Sequence, residues 1–166
     1  MVFNFIIILV AAIIPMIIGF VWYNPKVLGN AWMQAAGLTM KDLEGANMAK
    51  IFILAFIFSL FLAMSLNQIV IHQNDFFSSI IDEPGLTEAG SEMHTYAKSY
   101  TDRFGANFRT FKHGALHGFL FGLFAVLPVL GTNALFERKG FKYIAINVGY
   151  WTVCAMLMGG VICQFS

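Results

Sequence analysis

Charge is scarce in this chain. Ten Lys/Arg and nine Asp/Glu make up 11% of its 166 residues, against roughly 25% in an ordinary soluble domain. A soluble fold of this size has too small an interior to hide a chain that is 58% apolar. The formal charge of +1, with no basic block, disfavours nucleic acid as a partner, and the hydrophobicity excludes disorder. Cysteine is nearly absent as well. Cys154 and Cys163 are nine residues apart, so at about 100° per residue they fall on nearly opposite faces of a helix and cannot pair within it. Without a C-x-x-C, a membrane disulfide oxidoreductase is ruled out. G-x-S-x-G, H-E-x-x-H and phosphate-binding glycine loops are also missing. No enzyme and no cofactor is expected.

What the chain does have is long apolar runs. A bilayer core of about 30 Å needs roughly 20 apolar residues in a helix, and four such runs stand at about 3–23, 51–71, 114–136 and 143–165. None contains Asp, Glu, Lys or Arg. The expectation is an all-α, integral membrane four-helix bundle, one membrane domain over 1–166, with an extramembrane connection at 72–112. The first run lacks the basic start and cleavage site of a secretory signal and reads as an uncleaved span. The connections at 24–50 and in the last hairpin carry six Lys/Arg in 33 residues, against four in 41 in the long connection. This bias predicts both termini and the long connection on the outer, periplasmic side.

The connections carry structure of their own. Asn24-Pro25 is a helix start and Gly37 a stop. The apolar stripe between them predicts a short helix in the cytoplasmic interface, anchored by Trp22, Tyr23, Pro25, Gly29 and Trp32. Thr39 and Asp42 form a weak capping box. From Met93 to Ala115, apolar residues recur every three or four positions, which predicts one amphipathic helix running into the third span. Its aromatic face needs a surface to pack on.

Gly114, Gly118 and Gly122 make two overlapping G-x-x-x-G steps, and Gly149 and Gly159 add small residues to the fourth span. Such faces let membrane helices approach closely, within or between subunits. His113 and His117 sit one helical turn apart where the third span begins. Two imidazoles at that spacing can share a metal ion or carry protons, and His72, expected on the same membrane side, is the candidate third ligand. Interfacial hydrogen bonding is the plainer reading of these histidines. Asn67, Asn133, Asn147 and Tyr150 are the polar groups that could line a path across the bundle.

The stretches Trp22 to Thr39 (WYNPKVLGNAWMQAAGLT) and His113 to Trp151 carry a family resemblance. W-Y-x-P, G-x-x-W, H-G-x-x-x-G, N-A-L-F-E, N-x-G-Y and a closing M-G-G resemble the small bacterial membrane proteins grouped as domain of unknown function 1761. The resemblance implies a four-span protein of the bacterial inner membrane. It directs attention to the residues of those motifs, including His117, Asn133, Glu137, Asn147 and Tyr150, with Glu137 expected to bond the interfacial helix or its own hairpin. Three readings follow. The first is a non-enzymatic bundle acting by helix packing, as a homo-oligomer or as an accessory subunit among membrane lipids. The second is a small channel or carrier for a solute or ion, and the third a lipid- or metal-binding membrane protein.

Overall fold

The structure is a computed structural model and describes residues 3–166. Among these residues all regular structure is helical. Four helices are long and apolar enough to cross a membrane: α1 (Phe5–Trp22), α3 (Met48–Val70), α6 (Phe111–Phe136) and α7 (Phe141–Phe165). Between them lie α2 (Asn30–Ala36), α4 (Gln73–Ser79) and α5 (Glu92–Phe104). Helices α3 and α6 begin earlier than the apolar runs because polar side chains cap them. Asn47 accepts from the Lys50 amide, and Thr110 accepts from the His113 amide at 3.2 Å.

Helix α7 is the most enclosed of the four. Its closest partner is α6, and the glycines explain why. A Cβ on Gly114 would stand 2.1 Å from the Gly159 carbonyl, and one on Gly118 would stand 2.2 Å from the Ala155 carbonyl. The two backbones are in contact, so dispersion rather than side-chain burial holds the pair. At the next step, a Cβ on Gly122 would meet Thr152 Oγ1 at 2.3 Å. The glycine ladder of α6 is thus filled by α7 of the same chain. Ser59, Ala63, Leu66, Asn67 and Val70 form the inward stripe of α3, and Ile8, Ala11, Ala12 and Pro15 that of α1. The apolar members of these stripes, Ile8, Ala11, Ala12, Ala63, Leu66 and Val70, close a core with Met158 and Ile162 of α7. Large apolar side chains such as Ile17, Phe20, Phe58 and Phe124 point outward, as expected of a surface solvated by lipid.

At one end of the bundle, Pro25–Gly29 winds as a single π-helical turn into α2. Gly29 lies against the Tyr23 carbonyl, where a Cβ would stand at 2.2 Å. Gly37, at φ +75°, ends α2 in the left-handed region that favours glycine. The Thr39/Asp42 capping box is present, over one turn of 3₁₀ helix at Met40–Leu43.

At the other end, the helix expected to run from Met93 into the third span is broken. Helix α5 stops at Phe104, Phe108 takes φ +62°, and α6 starts afresh after Thr110. Gly105 weakens the helix and Thr110 offers a new cap, and together they outweigh the aromatic periodicity. The aromatic face of α5 packs inside the chain, where Tyr100 stacks on Phe76 of α4 with ring centroids 3.7 Å apart.

Candidate metal centre

Three histidines converge at the end that carries α4 and α5. His72 sits where α3 ends and α4 begins. His113 and His117 lie on the first two turns of α6, so a helical rise of about 6 Å separates their backbones. His72 Nε2 stands 2.8 Å from His113 Nε2. The ring centroids lie 5.0 Å apart for His72 with each of the other two, and 4.5 Å apart for His113 with His117. One ring nitrogen from each of the three falls within 4.8 Å of the others.

That spacing suits a metal ion. With Zn–N bonds of about 2.0–2.1 Å, tetrahedral ligands stand roughly 3.3 Å apart, inside the range spanned here. All three side chains are half-buried, so each keeps an open side. No carboxylate or thiolate joins the group among the described residues. A purely imidazole set suits zinc, copper(II) or nickel(II) better than magnesium or calcium, which prefer oxygen. Three neutral ligands leave both charges of a divalent ion uncompensated, so the fourth position favours water, hydroxide or another small anion.

The surroundings fix the three rings from several directions. Phe108 stacks on His113 at 5.2 Å and meets His72 edge-on at 6.0 Å. The Phe108 loop is tied to the end of α7: the buried Cys163 thiol lies 3.2 Å from the Phe108 carbonyl and 3.4 Å from that of Val70. Arg109 donates to the carbonyls of Cys163 and Ser166, and the Phe111 amide donates to Gln164 Oε1 at 2.9 Å. Beside His72, buried Gln73 donates to the carbonyls of Phe104 and Asn107, at 2.9 and 3.0 Å. Asn74 donates to the Asn67 carbonyl. His94 stands apart, over a cleft shared with Phe77 and Leu86.

The other residues singled out in the sequence lie elsewhere. Asn67 is buried near the histidine end. At the opposite end, Trp22 Nε1 donates to the Ile146 carbonyl and Tyr23 donates to Asn147 Oδ1 at 3.1 Å. Tyr23 packs on Trp32, and Tyr150 donates to the Pro15 carbonyl at 2.8 Å. The W-Y-x-P and G-x-x-W residues therefore knot α1, α2 and α7 together. Asn133 and Glu137 line a cleft with Tyr143 and Asn147. The interfacial helix is held by Lys139, which donates to the Ala36 carbonyl at 2.6 Å, and by Lys142, which donates to Gln34. Among the described residues, the Glu137 side chain makes neither of the bonds expected of it. Ala12, Ala63, Ala155 and Met158 are fully buried in the apolar core. Asn67 lies toward the histidine end, and Asn133 and Asn147 line the cleft at the other.

Reading the sequence alone does not identify Phe108, Gln73, Arg109 or Cys163 as parts of this assembly. Their roles come from loop geometry, and the only signal the sequence offers is Cys163 as a small, buried-type residue in an apolar helix.

Residues 6–163 match the model of the family described as Protein of unknown function (DUF1761), and the chain belongs to that family. No curated protein and no solved structure matches it.

Proposed function

We propose that this member of the DUF1761 family is a metal-binding membrane bundle that holds one first-row divalent transition-metal ion at its surface through His72, His113 and His117. The observation that carries this reading is the convergence of three imidazoles from two separate segments, 41 residues apart in sequence at the His72–His113 contact. Neutral imidazole is the side chain best suited to such an ion without a thiolate. Three protein ligands leave one position open, as in exchangeable rather than closed structural sites. The four apolar helices act as the frame, and the loops around Phe108 and Gln73 orient the rings. The protein is a binding protein in this account, placed in a bacterial inner membrane with the metal on the outer side.

The test is metal analysis of the full-length protein, purified in detergent, incubated with zinc, copper(II) or nickel(II) and then desalted. The expected result is one ion per chain, lost in the double variant His113→Ala/His117→Ala while the elution volume is unchanged. Retention of equal metal by the double variant would overturn the reading.

A further inference from the structure

A second surface runs from the middle of α6 to its far end, where Glu137 stands about 36 Å along the helix from His113 at 1.5 Å per residue. Within α6, residues Gly122–Val126 form a π-helical turn. Pro128 follows, and lacking an N–H it leaves the Phe124 carbonyl without its α-helical partner. The wider turn opens an apolar groove of about 330 Å³ on the lipid-facing side, lined by Phe121, Ala125, Val129, Leu130 and Trp151 among others. Leu130 and Trp151 also line a second, more polar cleft of about 160 Å³ with Asn133, Glu137, Tyr143 and Asn147. Groove and cleft therefore form one continuous surface, apolar within the span and polar at its end.

Glu137 is the one charged residue among those lining the polar cleft, and it is exposed, with the exposed Arg138 next to it in sequence. Asn147 is already occupied, donating to the Tyr143 carbonyl and accepting from Tyr23. The adjacent lysines, Lys139 and Lys142, are engaged with α2. Among the described residues, the Glu137 carboxylate has no hydrogen-bond or ion-pair partner. An acceptor-only group at the mouth of an acyl-sized groove calls for a donor cation attached to an apolar chain.

We infer that this surface binds one membrane phospholipid bearing a primary ammonium, with an acyl chain along Ala125, Leu130 and Trp151 and the ammonium on Glu137. A choline headgroup carries the same charge but has no N–H to donate, so the site discriminates against it. This site does not depend on the histidine centre.

Native mass spectrometry of the delipidated full chain tests it, using an equimolar mixture of phosphatidylethanolamine, phosphatidylcholine and phosphatidylglycerol with identical acyl chains. The ethanolamine lipid is expected to be retained over the choline lipid by roughly tenfold, the factor given by about one charge-assisted hydrogen bond. Glu137→Gln should abolish that preference while leaving lipid bound. Ala125→Phe, which fills the groove from its lipid-facing wall, should remove the bound lipid whatever its headgroup. Equal retention of the ethanolamine and choline lipids by the wild type would overturn the inference. So would an undiminished preference in Glu137→Gln, or undiminished binding in Ala125→Phe.

Discussion

His72 and His113 bring their Nε2 atoms to 2.8 Å across 41 residues of sequence. A hydrogen bond at that distance needs one hydrogen between two nitrogens, so one Nε2 donates and the other accepts with its lone pair. Protonating both rings would place two N–H groups against each other. A metal ion needs the lone pair of each ring nitrogen that binds it. His117, one turn further along α6, faces the same space. For the three rings to hold a metal ion, the donating ring would carry its proton on Nδ1 instead, leaving the Nε2 lone pairs of His72 and His113 and a ring nitrogen of His117 to face the ion.

The packing of α6 on α7 makes a sharp distinction between two glycines. A Cβ at Gly118 would lie 2.2 Å from the Ala155 carbonyl, whereas one at Gly131 would find only side-chain atoms, at 3.7 and 3.9 Å. Gly118→Ala should force the helix pair apart and destabilise the bundle by roughly 1–3 kcal/mol. Gly131→Ala should be neutral or stabilising by up to about 1 kcal/mol, since alanine is the better helix former. Unfolding midpoints of the two variants in detergent decide the matter, and equal midpoints would contradict the packing.

Cys163 fastens the Phe108 loop to the end of α7. Cys163→Ala removes the donor and should cost about 1 kcal/mol, seen as faster amide exchange across residues 105–110. Cys163→Ser keeps a donor and should exchange at nearly the wild-type rate. If the alanine variant exchanges no faster, the thiol does not anchor the loop.

The α6–α7 hairpin turns at Arg138, which takes φ +57°. Its amide donates to the Leu135 carbonyl at 3.0 Å, and that of Lys139 donates to Ala134 at 2.8 Å. This is a helix end of the kind usually served by glycine. Arg138→Gly should therefore stabilise the protein by about 1 kcal/mol, the approximate cost of a left-handed residue with a Cβ. A lowered thermal midpoint would contradict this reading of the turn.

Most of the frame was legible in the sequence. The uncharged runs located the four spans, and Asn24-Pro25, Gly37 and the Thr39/Asp42 pair located the first connection, because caps and glycines act through bonds to near neighbours. The histidine pair was legible for the same reason, being one turn apart on one helix. His72 could be named only as a candidate from its end of the bundle; its approach to His113 depends on how α3 and α6 pack. The break at 105–110 was hidden because the aromatic period continues through it: Phe104, Phe108 and Phe111 keep helical spacing while the backbone does not. Glu137 shows the opposite failure. Its motif suggested an internal bond, but Lys139 and Lys142 reach the interfacial helix instead, which no sequence spacing reveals.

The first connection carries a pH-dependent contact. The Thr39 hydroxyl and then its amide, bonding Asp42 Oδ2 at 2.6 and 2.7 Å, hold the Asp42 carboxyl below the usual carboxylate range. A carboxyl lowered by folding adds stability above its unfolded pKa of about 3.9 and loses it as pH falls through the folded value. Thr39→Val removes the hydroxyl, so the Asp42 titration followed by NMR should move up toward the ordinary value. An unmoved titration would show that the hydroxyl does not hold the carboxylate.

The most direct test of the metal centre is X-ray absorption and visible spectroscopy of the full-length protein loaded with cobalt(II), a spectroscopic stand-in for zinc. The account predicts a four-coordinate ion with three imidazoles and one light non-protein ligand. Its visible bands should be lost in each of His72→Ala, His113→Ala and His117→Ala but kept in His94→Ala. A six-coordinate, water-like spectrum in the wild type, or bands that survive all three substitutions, would contradict it.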